Sequence, residues 1–187
     1  MKEKNRHRFI WRSILFGTIL LITLSGCLNP FAPSLTDKEA NQNLIITDQK
    51  TPEEVLINFS YAYNFKDSLV YSDLLDSSFL FISKNFATDP VTDITWGRDV
   101  DIKTTVGLFR HFQTLNLIWE GTVYARYLNN EFTLKEVKKT FKLTLDGGLE
   151  YPPIGGEALF IFKKRRKSPT DTTGIWKISR WEDLSSF

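Results

Sequence analysis

Thr51-Pro52-Glu53-Glu54-Val55-Leu56-Ile57-Asn58-Phe59-Ser60-Tyr61-Ala62-Tyr63 decides how the rest of the chain is read. Thr51 carries a capping hydroxyl, Pro52 suits the first helical position, and Glu54 stands three residues after the cap, as in a capping box. Val55, Leu56, Phe59, Ala62 and Tyr63 then recur at helical spacing, which gives the helix one apolar face. A helix that starts so sharply marks the beginning of a folded domain.

Working downstream, Asp67-Ser68 starts a second short helix with Leu69, Val70, Leu74 and Leu75 as its apolar side. Phe79 to Ile82 reads as a strand, and the polar stretch Ser83 to Thr95, which contains Pro90, reads as a loop. A third helix begins near Arg98-Asp99, with Ile102, Val106 and Phe109 on one face. Beyond His111 the period changes from helix to strand. Leu115, Leu117 and Trp119 alternate with polar or exposed positions, as do Phe141, Leu143 and Leu145. Ala158 to Phe162 and Ile175 to Trp181 form a closing hairpin, while Gly147-Gly148 and Pro152 to Gly156 punctuate the sheet. Helices first and long antiparallel strands afterwards predict an α+β domain over residues 51–187.

That order resembles the NTF2-like family, the cone fold shared by SnoaL-like proteins and ketosteroid isomerase. The resemblance rests on Thr51-Pro52-Glu53-Glu54, on Tyr71 to Phe79 and on Gly174-Ile175-Trp176-Lys177-Ile178-Ser179-Arg180-Trp181-Glu182-Asp183. It implies three N-terminal helices packed on a strongly curved antiparallel sheet, with a pocket inside the cone. Isomerases of this family use an aspartate base after the first strand and a tyrosine on the first helix. Aligned on Lys66-Asp67 and on Leu75 to Ser78, this chain has Ser83 and Phe59 at those positions. A serine cannot take a carbon-bound proton at neutral pH and a phenylalanine cannot donate a hydrogen bond. A slip of a residue or two brings Tyr61 or Asp89 nearer.

Upstream of Thr51, residues 28–50 show no sustained period and read as a tether. Before them stands a basic stretch, Met1 to Arg12, and an apolar run from Ser13 to Leu24, shorter than the ~20 residues of a spanning helix. The run closes on Leu24-Ser25-Gly26-Cys27, which resembles the bacterial lipobox. The resemblance implies a signal peptide over 1–26, lipidation of Cys27 and a tether over 27–50. Two or more acyl chains hold a protein stably on a membrane. The expected location is the cell envelope, lipid-anchored and extracytoplasmic. Leu28 in place of an aspartate points to the outer membrane, facing the periplasm, if the source has two membranes.

Charge and the rare residues narrow the chemistry. Lys2, Lys4, Arg6, Arg8 and Arg12 against Glu3 leave +4 in the first twelve residues, so the remaining 19 basic and 21 acidic residues stand at −2. A nearly neutral domain makes no electrostatic case for nucleic acid. Cys27 is the only cysteine, which excludes an internal disulfide and a cysteine-rich metal site. His7 lies in the address segment, leaving His111 as the one imidazole of the domain.

No catalytic set emerges, and neither a metal nor a cofactor is expected. Asp89, Asp93, Asp99 and Asp101 around Trp96 do not have calcium-loop spacing, and Asp99 suits a helix cap. Lys163 to Lys167 is a basic run at the expected hairpin tip, read as a solvated edge, with anionic headgroups as the alternative partner. Most aromatic residues are expected in the core. Tyr63, Trp96, His111 and Trp119 are the candidates for lining a ligand pocket. The expected function is a non-catalytic ligand-binding or protein-interaction domain, taking a small apolar ligand or an envelope protein. The alternatives are a structural subunit of an envelope complex and a SnoaL-like isomerase or hydrolase using His111. The sequence is silent on oligomeric state, and a dimer is compatible with it.

Overall fold

The computed structural model describes residues 46–148, 150–166, 170–171 and 173–185. The expected signal peptide, Cys27, the tether up to residue 45, and Lys167 of the basic run lie outside the described residues.

The first helix, α1, spans Pro52–Phe65. Thr51 Oγ1 accepts from Glu54 N at 3.1 Å, and the Glu54 carboxylate reaches back to Lys50 N at 2.7 Å. Residues 46–50 are tied to the domain. Thr47 N donates to Asn58 Oδ1 at 2.8 Å, and Trp176 N donates to Gln49 O at 2.8 Å. Lys66, at φ 56°, ends the helix in the left-handed conformation. The second helix, α2 (Ser68–Leu74), is capped by Asp67, whose carboxylate accepts from Leu69 N and Val70 N. In two turns only one ridge reaches the core, and here it is Tyr71 and Leu74. Leu69, expected on the apolar side, points outward and is 80% exposed, while Leu75 already belongs to the first strand.

The strands are β1 (Leu75–Asn85), β2 (Thr92–Gly97), β3 (Leu115–Tyr127), β4 (Leu134–Leu145), β5 (Ile154–Arg165) and β6 (Ile175–Asp183), with α3 (Arg98–His111) between β2 and β3. They form one sheet in the order β2-β1-β6-β5-β4-β3. The β3–β4–β5–β6 meander is antiparallel, including the expected β5–β6 hairpin, but β6 returns beside β1 in parallel, with Phe81 opposite Trp181. The sheet is therefore mixed, correcting the expected antiparallel one. Turn signals report only strands adjacent in sequence, and the β1–β6 pair closes across the whole domain.

Two further readings are corrected by pairing. The stretch from Ser83 to Thr95 is mostly a hairpin, with Ser83 opposite Ile94 and Asn85 opposite Thr92. An edge hairpin wet on both faces has no apolar alternation to betray it. Likewise Lys163, Lys164 and Arg165 sit inside β5, opposite Lys177, Trp176 and Ile175, and not at the hairpin tip.

Register shifts give the sheet its bend. β3 carries them between Trp119 and Gly121 and between Thr122 and Tyr124, β1 between Leu75 and Leu80, and β5–β6 at Ile161/Phe162. An extra residue in one strand increases the local twist and curls the sheet around the helices. Gly147 and Gly148, at φ 73° and 76°, make the turn that leaves β4.

Phe59 is the hub of the core. Its ring lies 4.9 Å from Tyr63, 5.4 Å from Tyr71, 5.6 Å from Trp119, 5.5 Å from Trp181 and 5.8 Å from Phe160. Two polar anchors fix α1 against β3. Trp119 Nε1 donates to Leu56 O at 2.9 Å, and Leu117 N donates to Asn64 Oδ1 at 2.6 Å. A third joins β1 to β5 at the base of the sheet. The Arg165 guanidinium grips the buried Asp76 carboxylate through two bonds of 2.6 and 2.7 Å.

Candidate functional site

Alternation along three neighbouring strands turns large apolar residues toward the helices. Leu117 and Trp119 come from β3, Phe141 and Leu143 from β4, Ile154 and Ala158 from β5. Trp181 and Asp183 follow at the end of β6, two residues apart and so on one face of the strand. With Phe59 and Tyr63 of α1 and Leu108 of α3 they enclose a cavity of about 220 Å³. For scale, an apolar cavity of about 150 Å³ takes up benzene. Asp183 is the one carboxylate in a wall otherwise made of rings and aliphatic groups. Its Oδ1 accepts from Ser185 N at 3.0 Å.

Trp119 and Trp181 differ in how their indoles are held. Trp119 is locked by its bond to Leu56 O. The Nε1 of Trp181 is buried with no hydrogen-bond partner among the described residues. Unpaired buried donors are rare because each costs about 1–3 kcal/mol.

Behind the Phe59–Tyr63 stack lies a second, polar cluster. Tyr71 Oη donates to Asp101 Oδ2 at 2.5 Å, and Trp96 Nε1 donates to Asp101 Oδ1 at 2.9 Å. The Tyr63 ring packs edge-on to Tyr71 at 5.8 Å beside the same cluster. Burial raises the pKa of Tyr63, and the Asp101 charge pushes it further; burial likewise raises Tyr71. Burial also lifts Asp101 above the ordinary carboxylate value, against the opposing hydrogen bonds from Tyr71 and Trp96. A phenol held neutral by burial brings no base to the cavity.

The four pocket candidates separate into two pairs. Tyr63 and Trp119 line the cavity together. Trp96 stacks on Phe81 at 4.2 Å and serves Asp101. His111 is exposed at the end of α3, edge-on to Phe112 at 4.8 Å. Of the positions compared with isomerases, Phe59 is part of the cavity wall and Ser83 lines a neighbouring polar groove that shares Asp183 with it. Tyr61 packs on Phe65 at 4.8 Å, and Asp89 is exposed in the β1–β2 turn. The acidic cluster disperses: Asp93 pairs with Lys84, Asp99 is exposed and Asp101 is buried. Among the described residues no three His, Cys, Asp or Glu side chains gather as a metal site. None of the described helices is long and apolar enough to cross a membrane.

Asp183 is the site residue that sequence reading missed. The signal was present: Trp181 belongs to the core, and a carboxylate two residues further along the same strand must face the same way.

No protein-family model matches the sequence, and no curated protein matches it. Solved structures do. A provisionally named scytalone dehydratase from Novosphingobium aromaticivorans has a TM-score of 0.56 at 17% identity, covering 72% of this chain and 81% of that one. An NTF2-like protein of unknown function from Pseudomonas putida has 0.53 at 7% identity, over 72% and 84%. A protein with a cystatin-like fold from Caulobacter vibrioides has 0.52 at 12% identity, over 70% and 84%. The domain has the NTF2-like, cystatin-like cone fold: three helices against a curved mixed sheet.

Proposed function

We propose that this chain is a lipid-anchored, extracytoplasmic protein whose cone domain binds a small apolar ligand without transforming it. The observation that carries the binding half is the cavity of about 220 Å³ enclosed by Phe59, Trp119, Phe141, Leu143 and Trp181. Pockets of this kind are largely apolar with a few polar groups that orient the guest. Binding is favoured over turnover by the shortage of proton-transfer partners in the wall. Asp183 stands there without a second titrating group free to work with it, since burial holds the Tyr63 phenol protonated. His111 lies outside the cavity, so a His111-based isomerase or hydrolase has no geometric support.

The anchoring half rests on Leu24-Ser25-Gly26-Cys27 and the basic and apolar segments before it. Both halves are tested on the full chain. Titration with n-propylbenzene should quench or shift the tryptophan fluorescence saturably, because Trp119 and Trp181 line the cavity. A linear, unsaturable response means no binding. In cells, Cys27→Ser should move the protein out of the membrane fraction, and its retention there would defeat the anchor.

A second reading, a subunit of an envelope assembly, is favoured by one other observation. The outer half of β3 and the following turn expose Val123, Tyr124, Tyr127, Leu128 and Phe132 along a free sheet edge. A monomer that stays monomeric at high concentration and retrieves no envelope partner would count against it.

A further inference from the structure

We propose that the cavity selects an organic ammonium ion: a small amine with an aromatic or alkyl body, its charged nitrogen placed on Asp183. The inference rests on the binding reading above and names the chemistry of the guest.

Three features of the wall point the same way. The first is the carboxylate. Asp183 shares the cavity with rings and aliphatic groups and accepts one hydrogen bond, from Ser185 N. A carboxylate has room for about four, and it forms no ion pair among the described residues. On its outer side Asp183 also borders a polar groove with Lys84 and Arg180, where Lys84 pairs with Asp93 and Arg180 Nη2 with Glu182, while Arg180 Nε has no partner among the described residues. A neutral apolar guest would strip water from Asp183 and return nothing, which is costly for an anion in an apolar wall.

The second feature is the rings. Phe59, Tyr63, Trp119, Phe141 and Trp181 surround the same space. Aromatic faces carry negative quadrupole potential, so they attract cations and repel anions, with indole the strongest. Neither indole offers its N–H to a guest: Trp119 Nε1 is bonded to Leu56 O, and Trp181 Nε1 is buried. The third feature is size. About 220 Å³ exceeds the roughly 150 Å³ that accommodates benzene, which leaves room for one ring and a short arm carrying the nitrogen. A carboxylate at one end of a box of aromatic faces is complementary to an ammonium group on an apolar body.

The test compares three isosteres on the full chain by tryptophan fluorescence: 2-phenylethylamine, n-propylbenzene and 3-phenylpropanoate. The amine should bind at least about tenfold more tightly than the hydrocarbon, the gain of a desolvated charge-assisted contact plus cation–π attraction, and the carboxylate most weakly. Asp183→Asn should abolish the preference for the amine. If amine and hydrocarbon bind equally to the wild type, or the carboxylate binds as well as the amine, the ammonium inference is overturned while the apolar-binding reading stands. If none of the three binds, both fall. The wild-type comparison decides the matter even if the Asn variant does not fold.

Discussion

On one side of the Phe59–Tyr63 stack, Tyr71 and Phe109 close against a polar cluster; on the other, Trp119, Phe141 and Trp181 stand around a cavity. Both sides are lined by large aromatic residues, so composition does not separate them. Hydrogen bonding does. On the packed side Asp101 receives both Tyr71 and Trp96, one on each carboxylate oxygen. On the open side Trp181 Nε1 has no partner among the described residues, and Asp183 uses little of its capacity. A completed polar network rigidifies a core; a carboxylate with spare acceptor capacity beside a cavity is complementary to a donor that arrives later. One wall of two rings thus divides a region built for stability from a region built for binding.

The largest effect should come from removing that wall. Phe59→Ala should cost about 3–5 kcal/mol in urea unfolding, since Phe59 is fully buried and touches rings on both sides. A loss under about 1 kcal/mol would mean the two regions are not mechanically joined. Next is Asp101→Leu, which leaves Tyr71 Oη and Trp96 Nε1 without their acceptor. Each orphaned donor should cost about 1–3 kcal/mol, with ligand titrations of the surviving folded protein unchanged.

Two buried alanines sharpen the comparison at smaller cost. Ala62 is fully enclosed in the packed core, whereas Ala158 lines the cavity. Ala62→Leu should lose about 1–3 kcal/mol from overpacking. Ala158→Leu extends into open volume and should change stability by less than about 1 kcal/mol while abolishing hydrocarbon binding. Equal penalties at the two sites would break the distinction between packed and open sides.

The smallest effect is in pH dependence, where two buried carboxylates behave oppositely. Arg165 holds the Asp76 carboxyl far below its usual range, helped by Ser78, while burial raises that of Asp101. The Asp76–Arg165 pair therefore contributes stability fully present above the unfolded carboxylate value near about 4, and lost as pH falls through its depressed native value. Asp101 works the other way: its contribution is greatest when protonated and declines as pH rises through its raised native value. Denaturation midpoints should show the deficit of Asp76→Asn shrinking in acid. Asp101→Asn should instead improve relative to wild type as pH rises above the unfolded carboxylate value of about 4. The same slope in both variants would contradict the assignment.

Legibility in the sequence followed the range of the interaction. α1 was readable in full, since its cap, its first proline and its apolar face are all local, and Tyr63 came with it. Trp119 was readable because β3 alternates cleanly up to its first bulge, after which the pattern breaks and the exposed half begins. The parallel β1–β6 pair was not readable, because no local signal links residues a hundred positions apart. Nor was the buried face of α3. Ile102, Val106 and Phe109 suggested one stripe, of which Phe109 is buried and Ile102 packs on the core, but Asp101 and Thr105 are buried beside Phe109, with Asp101 drawn inward by Tyr71 and Trp96. Burial of a carboxylate depends on partners from other elements, and a helical wheel does not contain them.

The central claim is that the side of the cone beyond Phe59 is an open, apolar binding space. A crystal of the protein pressurised with xenon tests it most directly, because the gas enters apolar cavities without needing a chosen ligand. The account predicts xenon density between Trp119, Phe141 and Leu143 in the wild type, and its disappearance in Ala158→Leu. A wild-type crystal with no xenon at that position, and side chains filling the space, would contradict it.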